Sequence, residues 1–353
     1  MSYLDPRAGQ ASGDDTSVPA PYRYGAAWHA DEQAAPAAEA TPTEPPIEPA
    51  PMTDKTPPET NGPEPAPRGK GKRRAGAKGK PKGSRAGRNL PAAIAVGISL
   101  VLVVLASLLI YKPAFLGVIA LAGCAGVWEM TRALRNSGAD APLIPLLAGT
   151  LLMVGLAWFD GPDALLLGLA VTLLAAVIWR IADGPAAFRR DLTASVLTAI
   201  YVPFLLSFSV LLLLSDSDRG EWRVLCTLFA VVLSDTGGYA AGVFLGKHKM
   251  APSISPGKTW EGFAGSISAA AIGSGLLLYF LLDIPAYWGL LFGAVISIVA
   301  VIGDLAESML KRDLGVKDMS NLLPGHGGVM DRLDSILFAV PTAYLLFAVI
   351  AAN

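Results

Sequence analysis

The chain contains 353 residues, of which 52% are hydrophobic, and its formal net charge at pH 7 is −1. Its two cysteines, Cys124 and Cys226, lie in apolar runs without neighbouring histidines or metal-ligand spacing. This placement argues against a redox or cysteine-ligated metal centre and favours two buried, small hydrophobic side chains. The net charge sums an acidic stretch, a basic stretch and a long apolar region, so it indicates no class of partner by itself.

The first part of the chain is polar. Residues 1–67 are predicted to be disordered, because Pro, Ala, Glu and Thr dominate from Ala34 to Pro67 and bury too little surface to offset ordering entropy. Residues 68–88 form a basic block that contains no aromatic side chain for stacking on nucleic-acid bases. We interpret it as a juxtamembrane segment on anionic lipid, not as a nucleic-acid binder. The predicted division is a tail, 1–90, and a membrane domain, 91–353.

The remainder of the chain consists of nearly continuous apolar runs, each close to the length of about 20 residues that spans a hydrocarbon core. The runs lack the alternation of barrel strands, and backbone groups in lipid must be satisfied within the segment. We therefore predict an all-α, polytopic membrane helix bundle. Its nine predicted helices are 91–111, 113–134, 142–159, 163–182, 194–214, 223–245, 263–282, 286–307 and 334–352.

Basic residues between these helices collect on one side of the membrane. The opposite side carries Lys112, Arg219 and mostly acidic residues. The positive-inside rule then predicts a multi-pass protein of the cell membrane, with its N-terminus and its two long polar loops, 246–262 and 308–333, in the cytoplasm. The basic residues on that side are Arg132, Arg135, Arg180, Arg189, Arg190, Lys247, Lys249, Lys258, Lys311, Arg312, Lys317 and Arg332.

The segment from Gly303 to Ser335 is the most informative part of the sequence. Asp304, Glu307, Ser308 and Lys311 share one face if the eighth helix continues that far, because they are spaced i, i+3, i+4 and i+7. The same spacing recurs in Asp331, Asp334 and Ser335 at the start of the ninth helix. A Gly-rich turn between the helices would bring these carboxylates together. Asp304 and Asp331 are thus predicted to hold Mg²⁺, which prefers oxygen ligands.

Cationic and donor groups surround the same point. A metal together with cationic clamps is the combination that phosphoryl transfer needs to neutralise a triphosphate. The amides of the PGHGG turn are expected to help cradle phosphate oxygens. The alternative is a solvated loop that only contacts lipid headgroups, which the density of mixed charge disfavours. The basic residues concerned are Lys311, Arg312, Lys317 and Arg332.

Two further polar segments stand out. Asp235, in SDTGGY, falls in the middle of the sixth apolar run, where a charge costs at least ~2.5 kcal/mol and usually faces the protein interior. The glycines that follow, Gly237 and Gly238, predict either close helix approach or a local break. The loop 246–262 offers phosphate-binding donors and is not a Walker A loop, since Pro252 stands where that motif needs glycine. Its predicted donors are Ser255, Lys258 and Thr259.

Two isolated polar residues are assigned more general positions. Glu129, near the end of the second helix, is expected at the membrane interface, with an interior polar contact as the alternative. His248 is expected in the polar loop near a phosphate or a lipid headgroup.

The run SMLKRDLGVKDMSNLLPGHGGVMDRLD, residues 308–334, resembles the signature of the phosphatidate cytidylyltransferase family, also called CDP-diglyceride synthases. SDTGGY, SPGKTWEG and GDLAES resemble further segments of that family, in the same order. The residues in register with the signature are Ser308, Lys311, Arg312, Lys317, Asp318, Pro324, His326, Gly327, Gly328, Asp331, Arg332 and Asp334.

The resemblance implies a cytoplasm-facing polar cavity in which Asp304 and Asp331 hold a divalent metal, with a second, monovalent cation such as K⁺, and it suggests a homodimer. It also implies the substrates CTP and phosphatidic acid and the products CDP-diacylglycerol and pyrophosphate. Two departures are Gly238, where alanine is common, and Gly257, where asparagine also occurs. Gly257 leaves its position without a side-chain ligand.

The expected reaction is a direct attack of the lipid phosphate on the α-phosphorus of CTP, since the sequence contains no obvious enzyme nucleophile. The predicted catalytic residues are Asp304, Asp331, Lys311, Arg312 and His326, of which His326 would orient the loop or relay a proton. The predicted substrate-binding residues are Ser255, Lys258, Thr259, Asp235, Lys317, Arg332 and Asp334.

Rival functions fit the sequence less well. A transporter would suit an intramembrane aspartate, but the ionisable residues cluster at one cytoplasmic mouth and no inverted repeat is visible. A lipid phosphatase would need two histidines in the site, and only His326 is well placed. A lipid-alcohol transferase would carry a DGxxAR segment, which is absent from the sequence.

Overall fold

A computed structural model of the chain describes residues 90–182, 184, 187–216, 218–323 and 327–352, with side chains from Ile94 onward. These residues form nine helices and one β-hairpin. The helices are α1 Leu90–Leu109, α2 Lys112–Asn136, α3 Leu143–Phe159, α4 Gly161–Ala182, α5 Phe188–Leu214, α6 Gly220–Leu245, α7 Trp260–Leu282, α8 Ala286–Asp313 and α9 Met330–Ala351.

The helices form a multi-pass membrane protein, as predicted. Seven of those described are long and apolar enough to cross a membrane, whereas α3 and the described apolar part of α1, Ile94–Leu109, are shorter. Large apolar side chains such as Met153, Phe292 and Phe347 are buried where helices meet, and others such as Phe244 lie on the outer surface. An apolar outer surface is the expected state of a bundle that is solvated by lipid tails.

Most helices extend beyond their predicted ends, and α5, α8 and α9 do so by more than one turn. Helix α5 begins at Phe188, α8 continues to Asp313 and α9 begins at Met330. The additional turns contain charged residues, so the apolar pattern on which the predicted boundaries rested stops before the helix does. The eighth helix thus continues past its predicted end at residue 307 and meets the condition under which Asp304 and Lys311 share one face.

The loop between α6 and α7 contains two short antiparallel strands, β1 Lys249–Ala251 and β2 Ser255–Thr259. Among the described residues, this hairpin departs from the predicted all-α fold. Its first strand pairs Lys249 with Thr259, so the loop enters and leaves the bundle at adjacent points. The hairpin lies outside the seven membrane spans, so its backbone is not subject to the rule that lipid imposes on spanning segments.

Helix α5 contains a π-helical turn, Ile200–Phe204, which includes Pro203. Proline has no backbone N–H, and the wider turn accommodates the hydrogen bond that is missing there. Tyr201 and Val202 of this turn are buried. The π-helical turn thus points Tyr201 and Val202 into the bundle, in directions that differ from those of a regular α-helix.

Helices α6 and α7 approach each other closely through small residues. A Cβ atom added to Gly237 would lie 2.4 Å from the Cβ of Ala269 and 2.8 Å from the carbonyl oxygen of Gly265. One added to Gly238 would lie 2.2 Å from the hydroxyl of Ser266. Because α6 is continuous from Gly220 to Leu245, the two glycines permit close approach and do not break the helix.

A buried ion pair joins the end of α4 to the start of α5. The guanidinium of Arg180 donates a hydrogen bond to the carboxylate of Asp191, and both residues are buried. The other carboxylate oxygen of Asp191 accepts a hydrogen bond from the backbone N–H of Asp140 at 2.9 Å. A single carboxylate therefore holds three segments together at one end of the bundle.

We expect Gly237→Ala to destabilise the protein by about 1–3 kcal/mol, because the new methyl group meets the backbone of α7. The melting temperature of the purified protein in detergent measures the effect. Gly155→Ala in α3 is the matched control, since its added Cβ has no atom within 4 Å. The control should melt at the wild-type temperature or above it, because alanine favours a helix by about 1 kcal/mol over glycine. Equal melting of both variants would contradict the tight α6–α7 contact.

Candidate active site

The predicted face of α8 forms a chain of polar contacts. The hydroxyl of Ser308 donates a hydrogen bond to the Asp304 carboxylate at 3.3 Å, and Lys311 Nζ donates one to Glu307 Oε2 at 2.7 Å. Each contact joins residues four apart, as expected on one helical face. Glu307 is fully buried and Asp304 is one-third exposed, so the face runs from the interior towards an opening.

Lys311 connects α8 with the beginning of α9. Its ammonium group also donates a hydrogen bond to Asp331 Oδ1 at 2.9 Å. The other oxygen of Asp331 accepts hydrogen bonds from the backbone N–H of Met319 at 3.0 Å and of Gly328 at 2.8 Å. Asp331 thereby holds both ends of the described connecting loop against α9, which confirms that the two helix ends converge.

The hairpin contributes a second lysine. Lys258 Nζ lies 2.6 Å from Asp304 Oδ2 and donates a hydrogen bond to the carbonyl oxygen of Val301 at 3.5 Å. Arg312 Nε donates one to the carbonyl oxygen of Ile254 at 3.3 Å. The hairpin therefore rests on the last turns of α8 and places a cation beside the first carboxylate of the site.

Asp235 of α6 belongs to the same group of charges. It lies within electrostatic range of Asp304, Asp334, Lys258 and Arg332, and its side chain is exposed. An exposed carboxylate on a membrane helix that faces charges on three other elements lines a polar cavity, not the lipid surface. The structure thus places Asp235 within electrostatic range of residues of α8 and α9.

The carboxyl groups of Glu307 and Asp334 lie within electrostatic range of each other. Glu307 Oε2 pairs with Lys311, whereas Glu307 Oε1 is buried and has no hydrogen-bond partner among the described residues. A buried carboxylate oxygen without a partner is a candidate ligand for a cation. No group of three or more His, Cys, Asp or Glu side chains with metal-binding geometry occurs among the described residues. Ammonium groups instead contact Asp304 and Asp331.

Several predicted residues lie elsewhere. Thr259 is buried and its hydroxyl accepts a hydrogen bond from the N–H of Gly262 at 3.1 Å, so it caps α7. Lys317 is exposed, and in the described part of the chain neither Lys317 nor Ser255 contacts the carboxylates. His326 lies outside the described residues, so its predicted role stays a prediction. His248 pairs with Glu261, its Nδ1 lying 2.6 Å from Glu261 Oε1.

Glu129 is the residue whose importance the sequence reasoning underestimated. It is fully buried, so the interior polar contact that was the alternative expectation is confirmed. Its carboxylate accepts hydrogen bonds from the hydroxyl of Ser320 at 2.6 Å and from the N–H groups of Val329 at 2.9 Å and Met330 at 2.7 Å. It therefore caps the N-terminus of α9 from α2.

A glycine makes room for this cap. A Cβ atom added to Gly328 would lie 2.6 Å from the Glu129 carboxylate. Gly327, its neighbour, has a φ of 77°, which a residue with a side chain adopts only with strain. The two glycines of the signature thus serve the backbone turn that meets Glu129. A carboxylate in an otherwise apolar run was the available sequence signal for this contact.

These features define a class: a multi-pass helical membrane protein with a charged cavity, built by α6, α8, α9 and the hairpin. Residues 91–350 match the cytidylyltransferase family. A phosphatidate cytidylyltransferase of Mycobacterium bovis is 40% identical over 280 residues, which are 76% of this chain and 91% of the relative. One of Mycobacterium leprae is 41% identical over 287 residues, or 75% and 90% of the two chains.

A more distant group agrees with this assignment. A phosphatidate cytidylyltransferase of Brucella suis is 46% identical over 147 residues, which are 41% of this chain and 54% of the relative. The chain therefore belongs to the cytidylyltransferase family and is a nucleotidyltransferase enzyme. The resemblance that the signature predicted is confirmed.

We expect Glu129→Ala to destabilise the protein by at least about 2 kcal/mol, because it leaves a hydroxyl and two backbone N–H groups without their acceptor. The readouts are the melting temperature and the rate of hydrogen exchange at the start of α9. Asp140→Asn, which affects an ion pair with Arg135 whose side chains are more than half exposed, should cost under about 0.5 kcal/mol. Unchanged exchange in Glu129→Ala would refute the capping role.

Proposed function

We propose that this enzyme transfers a cytidylyl group from CTP to phosphatidic acid and releases CDP-diacylglycerol and pyrophosphate. The observation that carries the proposal is the alternation of lysines and carboxylates across α8, α9 and the hairpin: Lys258 on Asp304 and Lys311 between Glu307 and Asp331. Such a site can neutralise several negative charges at once. The name of the Mycobacterium relatives, phosphatidate cytidylyltransferase, gives the same acceptor and the same transferred group.

The carboxylates fit a divalent cation. They are hard oxygen donors, Glu307 Oε1 is buried without a partner among the described residues, and the carboxyl group of Asp334 lies within electrostatic range of Glu307. We propose Mg²⁺, with Asp304 and Asp331 as its protein ligands; a second, monovalent cation such as K⁺ would suit the remaining carboxyl groups. Bound Mg²⁺ would supply charge neutralisation for the triphosphate and for the leaving pyrophosphate.

The basic residues bind and orient the substrates. Lys258 and Lys311, held by carboxylates in the cavity wall, can turn towards phosphate oxygens when these enter. Arg312, Lys317 and Arg332 are exposed around the opening, where they can attract two polyanionic substrates.

The proposed reaction is a single displacement. An oxygen of the phosphatidate phosphate attacks the α-phosphorus of CTP, a new phosphorus–oxygen bond forms, and the bond to the bridging oxygen of pyrophosphate breaks. No covalent enzyme intermediate is needed. The chain's residues supply position and charge neutralisation, which together can account for a large rate enhancement.

The reaction can be tested with purified protein, phosphatidic acid, Mg²⁺ and CTP labelled in the α-phosphate or the cytidine. We expect label in the chloroform phase, its loss with EDTA, and a reduction on the order of 100-fold in Asp304→Asn and Asp331→Asn. Asp313→Asn, which changes an exposed carboxylate at the end of α8, is the matched control and should keep activity. Wild-type protein that is folded yet gives no labelled lipid would refute the proposed function.

We further propose that the cavity opens to the cytoplasm and that the N-terminus lies on the same side, in the cell membrane. The basic residues of the hairpin and of the α8–α9 region support this orientation. The expected homodimer remains a prediction.

This orientation predicts which of two loops an impermeant reagent can reach in intact cells. With Cys124 and Cys226 replaced by alanine, Asp218→Cys should react with an impermeant maleimide, because the turn before α6 would face outward. Lys249→Cys in the hairpin should react only after permeabilisation. Both positions are exposed in the structure, so access depends on sidedness alone. The reverse labelling pattern would contradict the orientation.

A further inference from the structure

Tyr201 is a buried side chain whose polar atom is left without a partner by the described residues. The residue is 8% exposed, and its hydroxyl has no hydrogen-bond partner among the described residues. A buried, unpartnered hydroxyl is unfavourable, and phenylalanine would fill the same space without that disadvantage. A buried hydroxyl without a protein partner can instead be satisfied by a bound ligand.

The backbone at this position is also unusual. Tyr201 lies in the π-helical turn Ile200–Phe204 of α5, and such turns are rare and frequently occur at functional sites. The turn changes the direction in which its side chains leave the helix. It is an observation about the main chain and is independent of the unpartnered hydroxyl.

The tyrosine ring is held beside the charged cavity. It packs edge-on against Phe338 of α9, with ring centroids 5.8 Å apart. At the same level α8 and α9 touch, since a Cβ atom added to Gly303 would lie 2.6 Å from the carbonyl oxygen of Asp334 and 3.2 Å from the Phe338 ring. The phenol therefore lies against the point where the two carboxylate-bearing helices meet.

The charges around Tyr201 are negative. Glu307, Asp334 and Asp304 lie within electrostatic range of it. A lysine placed here would pair with these carboxylates, as Lys258 and Lys311 do. A phenol is a neutral donor, so it can remain available for an anionic oxygen that arrives with a ligand.

We propose that Tyr201 is a substrate-contacting residue whose hydroxyl donates a hydrogen bond to a phosphate oxygen of a bound substrate. The inference rests on the proposed function, because both substrates of that reaction bring phosphate oxygens into the cavity. It adds α5 to the elements that form the site and gives the buried hydroxyl a hydrogen-bond partner.

Tyr201→Phe tests the inference because it removes one oxygen atom and leaves the packing unchanged. We expect kcat/KM to fall about 10- to 100-fold, the effect of losing one hydrogen bond to a charged acceptor. The melting temperature should stay the same or rise, since the oxygen removed has no partner in the described protein. Tyr344→Phe is the matched control: this half-buried tyrosine packs on Phe208 with centroids 5.7 Å apart and should retain full activity.

The kinetic constants then distinguish the source of the phosphate. A raised KM for phosphatidic acid alone assigns the contact to the lipid, a raised KM for CTP alone assigns it to the nucleotide, and a lower kcat assigns it to the transition state. The rise in melting temperature that each substrate causes gives a second readout that needs no turnover.

Two results would overturn the inference. If wild-type protein is active and Tyr201→Phe has unchanged constants for both substrates, the hydroxyl contacts neither of them. If activity and melting temperature fall together in Tyr201→Phe, the oxygen has a structural role. Inactive wild-type protein would refute the proposed function itself, and the inference with it, so the two failures are distinguishable.

Discussion

Ion pairing inside the bundle is the constraint on which the rest of the structure depends. An unpaired carboxylate or ammonium group in a membrane-embedded interior costs several kcal/mol, so each must meet an opposite charge or a ligand. Lys311 satisfies Glu307 and Asp331, and Lys258 satisfies Asp304. These pairs require α8, α9 and the hairpin to lie together, and so they hold the residues of the proposed site in place.

The loop that carries the family signature is held by two carboxylates from opposite directions. Asp331 accepts two of its backbone N–H groups from within α9, and Glu129 accepts two more, together with the Ser320 hydroxyl, from α2. A residue far away in the sequence thus orders the segment where the charged residues converge. Precise placement of charged groups is what the proposed direct displacement requires.

The local parts of this arrangement were predictable. The shared face of Asp304 and Lys311 follows from helical periodicity, and Asp235 was recognisable as an interior charge because lipid does not tolerate one. Contacts between distant segments were not predictable. Three examples are the cap formed by Glu129, the packing of Tyr201 against Phe338 and the helix cap formed by Thr259. Each depends on which segments are neighbours in space, and apolar periodicity does not encode that.

By itself the sequence determined the family, the helical membrane architecture and the set of charged residues available for chemistry. Those properties follow from local pattern: run length, charge placement and the spacing of a long signature. Only the tertiary structure decided which charges pair, which glycines serve helix contact, and which apolar-looking segments reach the cavity. Charge pairs and helix contacts are set by packing between helices that are far apart in the chain. A shift of one helix by a single turn along its neighbour would change which residues are in contact.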